Sequence, residues 1–362
     1  MTRHTTQAVH VGGQVLGGGA QISVQSMTTT DTRDVRATLA QIIALAQAGG
    51  DIVRVAVPDE RAVRALPELV REAPVPLVAD IHFDYRLALG ALEAGVAKLR
   101  INPGNIGAAE HVRAVAQTAQ ARGVPIRIGV NAGSLQRELL ARVEADELSL
   151  GEAMAASALQ EARVLEDAGC AAIVLSVKAA HVPATLEAYT VLAERCSYPL
   201  HIGITEAGTR QAGVVKSAVC IGALLARGIG DTLRVSLTAD PVEEVRVGRR
   251  ILQALDLRPY GPNIISCPTC GRAQVDVIAI AEELEQRIAA DPALRQLVCT
   301  VAVMGCVVNG PGEARMADIG FAGGAGVGIL FRKGEPIGKI AARDAVQHLL
   351  EELHRMQHDG HA

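Results

Sequence analysis

Ala48-Gly49-Gly50-Asp51-Ile52-Val53-Arg54-Val55-Ala56-Val57 is the stretch that decides the fold. An Ala/Leu-rich helical pattern runs into an Ala-Gly stop, and a β-branched run follows. Glycine just past a helix is the usual left-handed stop. A strand that is apolar on both faces is one that helices cover. The unit recurs: Ala94-Gly95 leads into residues 97–101, Arg122-Gly123 into 125–130, Ala168-Gly169 into 172–177, and Arg227-Gly228 into 232–237. Three more runs, at 22–26, 76–80 and 200–205, bring the strands to eight, alternating with helices. This pattern predicts a (β/α)8 TIM-type barrel. An open doubly wound sheet is disfavoured because no Gly-rich dinucleotide fingerprint follows the first strand. Gly17-Gly18-Gly19 precedes that strand and reads as a hairpin or loop.

The chain has 362 residues, which fits one large domain and a small one. Arg258-Pro259-Tyr260-Gly261-Pro262 looks like the linker, so the barrel is expected over 1–258 and a second domain over 259–362. Beyond the linker the pattern changes. A cysteine turn comes first, and Val275, Ile278, Ala279, Leu284 and Ile288 then mark an amphipathic helix. Residues 297–303 read as a strand, 319–340 as a Gly-rich meander and 341–356 as a closing helix, together a compact α+β domain. Apolar residues make up 49% of the chain, enough for a sizeable core. A net charge of −4, no Trp, four Tyr and three Phe argue against a nucleic-acid surface. No uncharged apolar run reaches membrane-spanning length, and Met1-Thr2-Arg3-His4 lacks an apolar signal region. Seven cysteines, an odd number for a disulfide framework, point to a reducing, cytoplasmic setting.

The second domain carries Ser266-Cys267-Pro268-Thr269-Cys270-Gly271-Arg272 and Met304-Gly305-Cys306-Val307-Val308-Asn309-Gly310-Pro311-Gly312-Glu313, with spacing C-x2-C-x35-C-x6-E. Cys267 and Cys270 lie three apart on a turn that Pro268 and Gly271 suit. Asn309-Gly310-Pro311-Gly312 should not continue a helix or strand, which puts Cys306 in a turn as well. Three thiolates and a carboxylate favour iron–sulfur or zinc over a hard cation. A zinc site usually brings a second CxxC or a His pair, and a redox dithiol has no use for Cys306. On spacing alone, iron–sulfur, zinc and dithiol all remain open.

The barrel carries a separate signal. Arg54, Arg100, Arg127, Lys178 and Arg234 each lie in or just after an apolar strand. Buried cations are costly unless paired, and the clear nearby acids are Asp80 and Glu206. At the C-terminal mouth of a barrel, that excess of positive charge suits a phosphate or diphosphate. His82, Asn102, Asn131, Ser134 and Ser236 fall at the same strand ends as candidate polar contacts. A barrel binding a polyanion, joined to a three-thiolate [4Fe–4S] centre with Glu313 on its exchangeable iron, would combine Lewis-acid binding with electron delivery. A phosphate- or pterin-binding barrel with a structural zinc domain is the competing reading, and a non-enzymatic iron–sulfur scaffold is a third.

With these residues in view, the chain resembles the (E)-4-hydroxy-3-methylbut-2-enyl diphosphate synthase family of the methylerythritol phosphate route to isoprenoids, in its short two-domain bacterial form. The two cysteine stretches resemble the family's cluster motifs. Val78-Ala79-Asp80-Ile81-His82-Phe83, Lys98-Leu99-Arg100-Ile101-Asn102-Pro103-Gly104, Ile128-Gly129-Val130-Asn131-Ala132-Gly133-Ser134, Leu175-Ser176-Val177-Lys178, Gly203-Ile204-Thr205-Glu206-Ala207-Gly208 and Asp231-Thr232-Leu233-Arg234-Val235-Ser236 resemble its barrel motifs. The resemblance implies reductive ring opening and dehydration of 2-C-methyl-D-erythritol 2,4-cyclodiphosphate, with electrons from flavodoxin or ferredoxin. It implies that Cys267, Cys270, Cys306 and Glu313 hold the cluster. Arg54, Arg100, Arg127, Lys178 and Arg234 are implied as diphosphate contacts, and Asp80, His82, Asn102, Asn131, Glu206 and Ser236 as further substrate contacts. Among these, Glu206 is the best candidate for proton delivery, as a carboxylate in a basic pocket whose cations should keep it ionised until substrate arrives. A homodimer, with one subunit's cluster over the partner's barrel, completes what the resemblance implies.

Overall fold

A computed structural model describes residues 2–102, 105–306, 308 and 310–359. The chain divides between Arg258 and Pro259 into two compact units. The first opens with an antiparallel hairpin of β1 (Val9–Val11) and β2 (Gln14–Leu16). Eight parallel strands follow: β3 (Ser23–Met27), β4 (Ile52–Ala56), β5 (Leu77–Asp80), β6 (Lys98–Ile101), β7 (Ile126–Asn131), β8 (Ile173–Lys178), β9 (His201–Ile202) and β10 (Thr232–Leu233). The sheet runs β8-β7-β6-β5-β4-β3-β10-β9, and a parallel bridge from Leu175 to Leu200 joins its two ends into a barrel. The helix-stop glycines of the repeat, Gly49, Gly95, Gly123, Gly169 and Gly228, all have positive φ. Several helices open on a side-chain cap, such as Asp34 to the Ala37 amide, Asp59 to the Ala62 amide and Ser149 reciprocally with Glu152. Strands β9 and β10 are shorter than the apolar runs suggest. The Arg234 amide still donates to the Ile202 carbonyl at 3.0 Å, beyond which no regular ladder continues.

The hairpin serves the barrel. Val9, Val11 and Leu16 pack against Ile52, Val78 and Val174 in one apolar cluster. Side chains alternate across a strand, so Arg54, Asp80 and Lys178 share the inward face with those residues. The main core fills the space between the strands and the surrounding helices. The barrel interior is therefore apolar at the hairpin end and charged toward the strands' C-terminal ends.

In the second unit a five-stranded sheet has the order β11 (Asn263–Ser266), β12 (Thr300–Met304), β13 (Ile319–Ala322), β14 (Val327–Arg332) and β15 (Glu335–Ala341). The first three are parallel, and the last three form the antiparallel meander read from the sequence. Helices Val277–Ala290 and Ala345–Asp359 pack with Val301, Val303, Ile319 and Phe321. An Arg332–Glu352 ion pair ties the second of these helices to β14. Ala302, Met304 and Ala322 pack with Ala314 and Ala317 in a separate cluster. The expectation that residues 309–312 hold no helix is corrected here, because a short helix spans Gly310–Met316. Pro311 lies in its first turn, where a missing amide breaks no helical hydrogen bond. Val307 and Asn309, within the same motif, lie outside the described residues, as do Pro103 and Gly104 of the Lys98 motif. Among the described residues no helix is long and apolar enough to cross a membrane.

Candidate active site

Arg54, Arg100 and Arg127 come from three strands of the barrel, with Arg100 in direct register with Arg127. Asp80, the last residue of β5, is their shared carboxylate. Arg100 donates to it at 3.1 Å, Arg54 approaches at 3.6 Å and His82 Nε2 at 3.5 Å. Burial pushes Asp80 up, yet Arg54, the His82 hydrogen bond and Arg100 together outweigh it and hold the carboxyl well below its usual range. Arg100 also donates to the Gly129 carbonyl at 3.2 Å. Only glycine allows this approach, since a Cβ on Gly129 would lie 2.5 Å from Arg100 Nε.

Burial pushes Arg54 down to about 10 against the pull of Asp80. Arg127 is 2% exposed and donates to Gln25 Oε1 at 3.5 Å, and burial beside Arg54 and Arg100 pushes it down as well. Lys178 ends β8 opposite Asn131, and burial followed by Arg127 and Arg234 drives its amine well below the ordinary lysine value. Arg234 pairs at 3.3 Å with Glu244 on the helix Pro241–Ala254.

The other barrel candidates differ in setting. His82 is half-exposed, and Asn102 is buried just beyond β6. The Asn131 amide donates to Ser134 Oγ and its carbonyl accepts from it, so Ser134 braces the turn after β7. Ser236 is partly buried beyond β10. Glu206 is exposed beyond β9 at φ +52°, and among the described residues it makes no hydrogen bond or ion pair.

The cysteine loops follow the parallel neighbours β11 and β12 and are stitched together by backbone bonds. The Cys267 amide donates to the Val303 carbonyl at 3.3 Å, and the Gln274 amide to the Gly305 carbonyl at 2.8 Å. The Gly305 amide donates to Cys267 Sγ at 3.3 Å. A Cβ on Gly305 would meet Val277 at 2.6 Å and Cys267 Sγ at 3.5 Å, so this residue must be small for the loops to close. Cys270 is exposed, Cys306 is partly buried, and no disulfide joins any two of the seven cysteines. Glu313 is exposed in the first turn of the helix Gly310–Met316. Among the described residues no three His, Cys, Asp or Glu side chains gather around a single-ion position.

The profile of the GcpE TIM-barrel domain matches residues 6–249, and that of the GcpE protein C-terminal domain matches 263–355. The chain belongs to the GcpE family. A relative from Geobacter sulfurreducens is 56% identical over 98% of this chain and 99% of its own length. One from Caldanaerobacter subterraneus is 53% identical over 97% and 96%. Both carry the name 4-hydroxy-3-methylbut-2-en-1-yl diphosphate synthase (flavodoxin). Among solved structures, a Xanthomonas albilineans dihydropteroate synthase overlaps 70% of this chain and 100% of its own at 16% identity, with a TM-score of 0.47, too loose a likeness to carry an argument.

Three buried charges near the site of this GcpE barrel escape the sequence reading: Glu161, 4% exposed on the helix Leu150–Asp167 with Arg100 bearing on it, and two more. Glu244 is 3% exposed, accepts from Ser26 Oγ, Arg234 and the Leu237 amide, and adds a carboxylate to the balance. Lys98 is fully buried one strand repeat before Arg100 and adds a cation. The Lys98/Arg100 alternation was the available signal for Lys98. Nothing local separates Glu244 from its neighbour Glu243.

Proposed function

We propose that this GcpE protein catalyses reductive ring opening and dehydration of 2-C-methyl-D-erythritol 2,4-cyclodiphosphate to (E)-4-hydroxy-3-methylbut-2-enyl diphosphate. The observation that carries the reading is the excess of cations in the barrel. Arg54 and Arg100 pair with Asp80, which also bears on Arg127, Arg234 takes Glu244, and the charges that bear on Lys178 most are all cations. A diphosphate supplies the missing negative charge. The names of the relatives supply the product diphosphate and the flavodoxin donor; the cyclic substrate is the one the resemblance implies, and ferredoxin is the alternative donor.

The cysteine loops suit a [4Fe–4S] cluster. They offer soft thiolates, one of them, Cys267, already accepting a backbone N–H, and Gly305 leaves room beside it. A cluster spreads its ligands over several irons, so a single-ion arrangement is not required. Cys267, Cys270, Cys306 and Glu313 would hold it, and when bound it supplies the two electrons of the reduction. The chain's own residues do the rest. Arg54, Arg100, Arg127, Lys178 and Arg234 clamp the diphosphate. Asp80 fixes the guanidinium groups of Arg54 and Arg100 before substrate arrives. His82, Asn102, Asn131 and Ser236 orient the carbon skeleton. Glu206 delivers the proton with which the departing hydroxyl leaves as water, and its freedom from ion pairs leaves its carboxyl available for that transfer. The enzyme works as a homodimer, with one subunit's cluster serving the partner's barrel, in the reducing cytoplasm that suits a chain without disulfides.

The test is a visible and EPR spectrum of anaerobically purified protein with iron, sulfide and zinc assays on the same sample. About four irons and four sulfides per chain support the reading. Colourless protein with stoichiometric zinc after anaerobic reconstitution overturns it.

A further inference from the structure

Lys98 opens β6, paired with Val78 of β5. Val78 lies in the apolar cluster over the hairpin, with Ile52 and Val174. The lysine stem therefore starts among apolar neighbours at the closed end of the barrel, on the same face as Arg100. Its exposure is 0%, and its Nζ has no hydrogen-bond partner. The carboxylates nearby are already engaged. Asp80 serves Arg54, Arg100 and His82, and Glu244 serves Arg234. A methionine would fill the same volume without burying an unpaired amine, which is costly. Packing does not explain why a lysine stands here.

The neighbours of Lys98 suggest its use. Arg127 and Arg54, two cations of the proposed diphosphate clamp, are the charges that bear on it most. The other charged or titratable groups of this cluster are Asp80 from β5, Arg100 from its own strand, Lys178 from β8, His201 from β9, Arg234 beyond β10 and, from the surrounding helices, Glu161 and Glu244. Burial, then Arg127 and Arg54, push the Lys98 amine well below the ordinary lysine value. His201 is pushed down in the same way by burial, Arg127, Lys178 and Lys98, and its Nε2 is also unpartnered. With the site empty, another positive charge at this depth is opposed from several directions. A polyanion held by Arg54 and Arg127 reverses that field.

We propose that Lys98 is a positioning residue for the anionic substrate: its amine forms the floor of the cationic site and takes up a proton when the polyanion enters. The inference rests on the diphosphate reading given above. The step is a simple protonation, in which the amine and a solvent proton give the ammonium ion, which then shares the substrate's negative charge with Arg54 and Arg127. A lysine suits this use better than a fifth arginine would, because its charge can be withdrawn until the anion arrives.

The experiment is titration calorimetry of cluster-loaded, oxidised protein with 2-C-methyl-D-erythritol 2,4-cyclodiphosphate, anaerobic and without reductant, in two buffers of different ionisation enthalpy. Wild type should take up about one proton more per substrate bound than Lys98→Met. The variant should bind about tenfold more weakly, about 1.4 kcal/mol. Its thermal midpoint should match or exceed that of wild type, since an unpaired buried amine has been replaced by an apolar side chain. Equal proton uptake in the two proteins overturns the inference, even if the variant binds more weakly, because a purely structural lysine would not change proton uptake. Failure of wild type itself to bind the cyclodiphosphate overturns the diphosphate reading, and this inference with it.

Discussion

Gly129→Ala isolates the placement of one guanidinium. Gly129 lies within β7 and is not among the positive-φ glycines, so alanine suits the backbone there. The conflict is local. The new Cβ would stand 2.5 Å from Arg100 Nε, 2.8 Å from a terminal guanidinium nitrogen and 3.0 Å from Cζ. Ordinary carbon contacts lie near 3.5 Å, so the guanidinium must retreat by about 1 Å. Arg100 now donates to Asp80 at 3.1 Å and to the Gly129 carbonyl at 3.2 Å. A shift of that size takes both bonds beyond useful range. Asp80 keeps Arg54 at 3.6 Å and His82 at 3.5 Å, so it is not orphaned and the cost to stability should stay near 1 kcal/mol. Substrate binding should suffer more. Losing one charge-assisted contact costs about 1.5–3 kcal/mol, roughly a ten- to hundredfold rise in Kd. Calorimetric Kd for the cyclodiphosphate and a urea melt, run on the same preparation, measure both. Unchanged Kd with a large loss of stability would refute the reasoning and make Gly129 a packing residue.

Four further outcomes follow from the same geometry. Cys306→Ser should lose iron and sulfide by direct assay yet keep the barrel's circular dichroism, because a serine oxygen is a poor match for a soft iron site. Glu206→Gln should lower kcat by about a hundredfold or more while leaving Kd near wild type, and normal turnover would remove Glu206 from the proton path. Arg127→Met should weaken cyclodiphosphate binding while leaving the free protein as stable as wild type or more so, read by calorimetry and a thermal melt, because a desolvated cation leaves the barrel interior. Asp80→Asn should cost about 3 kcal/mol at neutral pH. Its folded carboxyl is held below the usual range, so this contribution is complete above the unfolded value near 4 and is lost as pH falls through the folded value. Urea melts should therefore show a constant gap between wild type and variant from neutral pH to about 4, narrowing in stronger acid.

The barrel was legible because two independent signals coincide at each repeat. A glycine stops the helix, and the strand after it is apolar on both faces. Ala48-Gly49-Gly50 before Ile52–Ala56 shows both, and Gly49 has φ +99°. Where one signal is missing, legibility fails. Strand β11 is four residues, Asn263-Ile264-Ile265-Ser266, with exposed ends, just beyond Pro262, and it exists because β12 offers a parallel edge. The helix Gly310–Met316 begins with three residues, Gly-Pro-Gly, whose propensities argue against it. Its Ala314, packed with Met304 and Ala302, supplies tertiary contacts that propensity cannot register.

The site divides along the same line. Cations in strands announce themselves because alternation assigns them a face. The carboxylates that balance them do not, because those on helices gain their role only through tertiary placement. Glu243 and Glu244 are adjacent and chemically identical, yet Glu243 takes the surface arginines Arg210 and Arg246, while Glu244 is buried against Ser26 and Arg234. Counting charge from strands alone therefore misses carboxylates on helices. With Glu161, Glu244 and Lys98 restored, two acids and one cation are added, and the positive excess in the barrel survives. That balance is the physical ground for expecting an anion, and it depends on Asp80 being shared by Arg54 and Arg100. Had each guanidinium met its own carboxylate, the strand-end charges would be a structural network, and no ligand would need to be inferred from them.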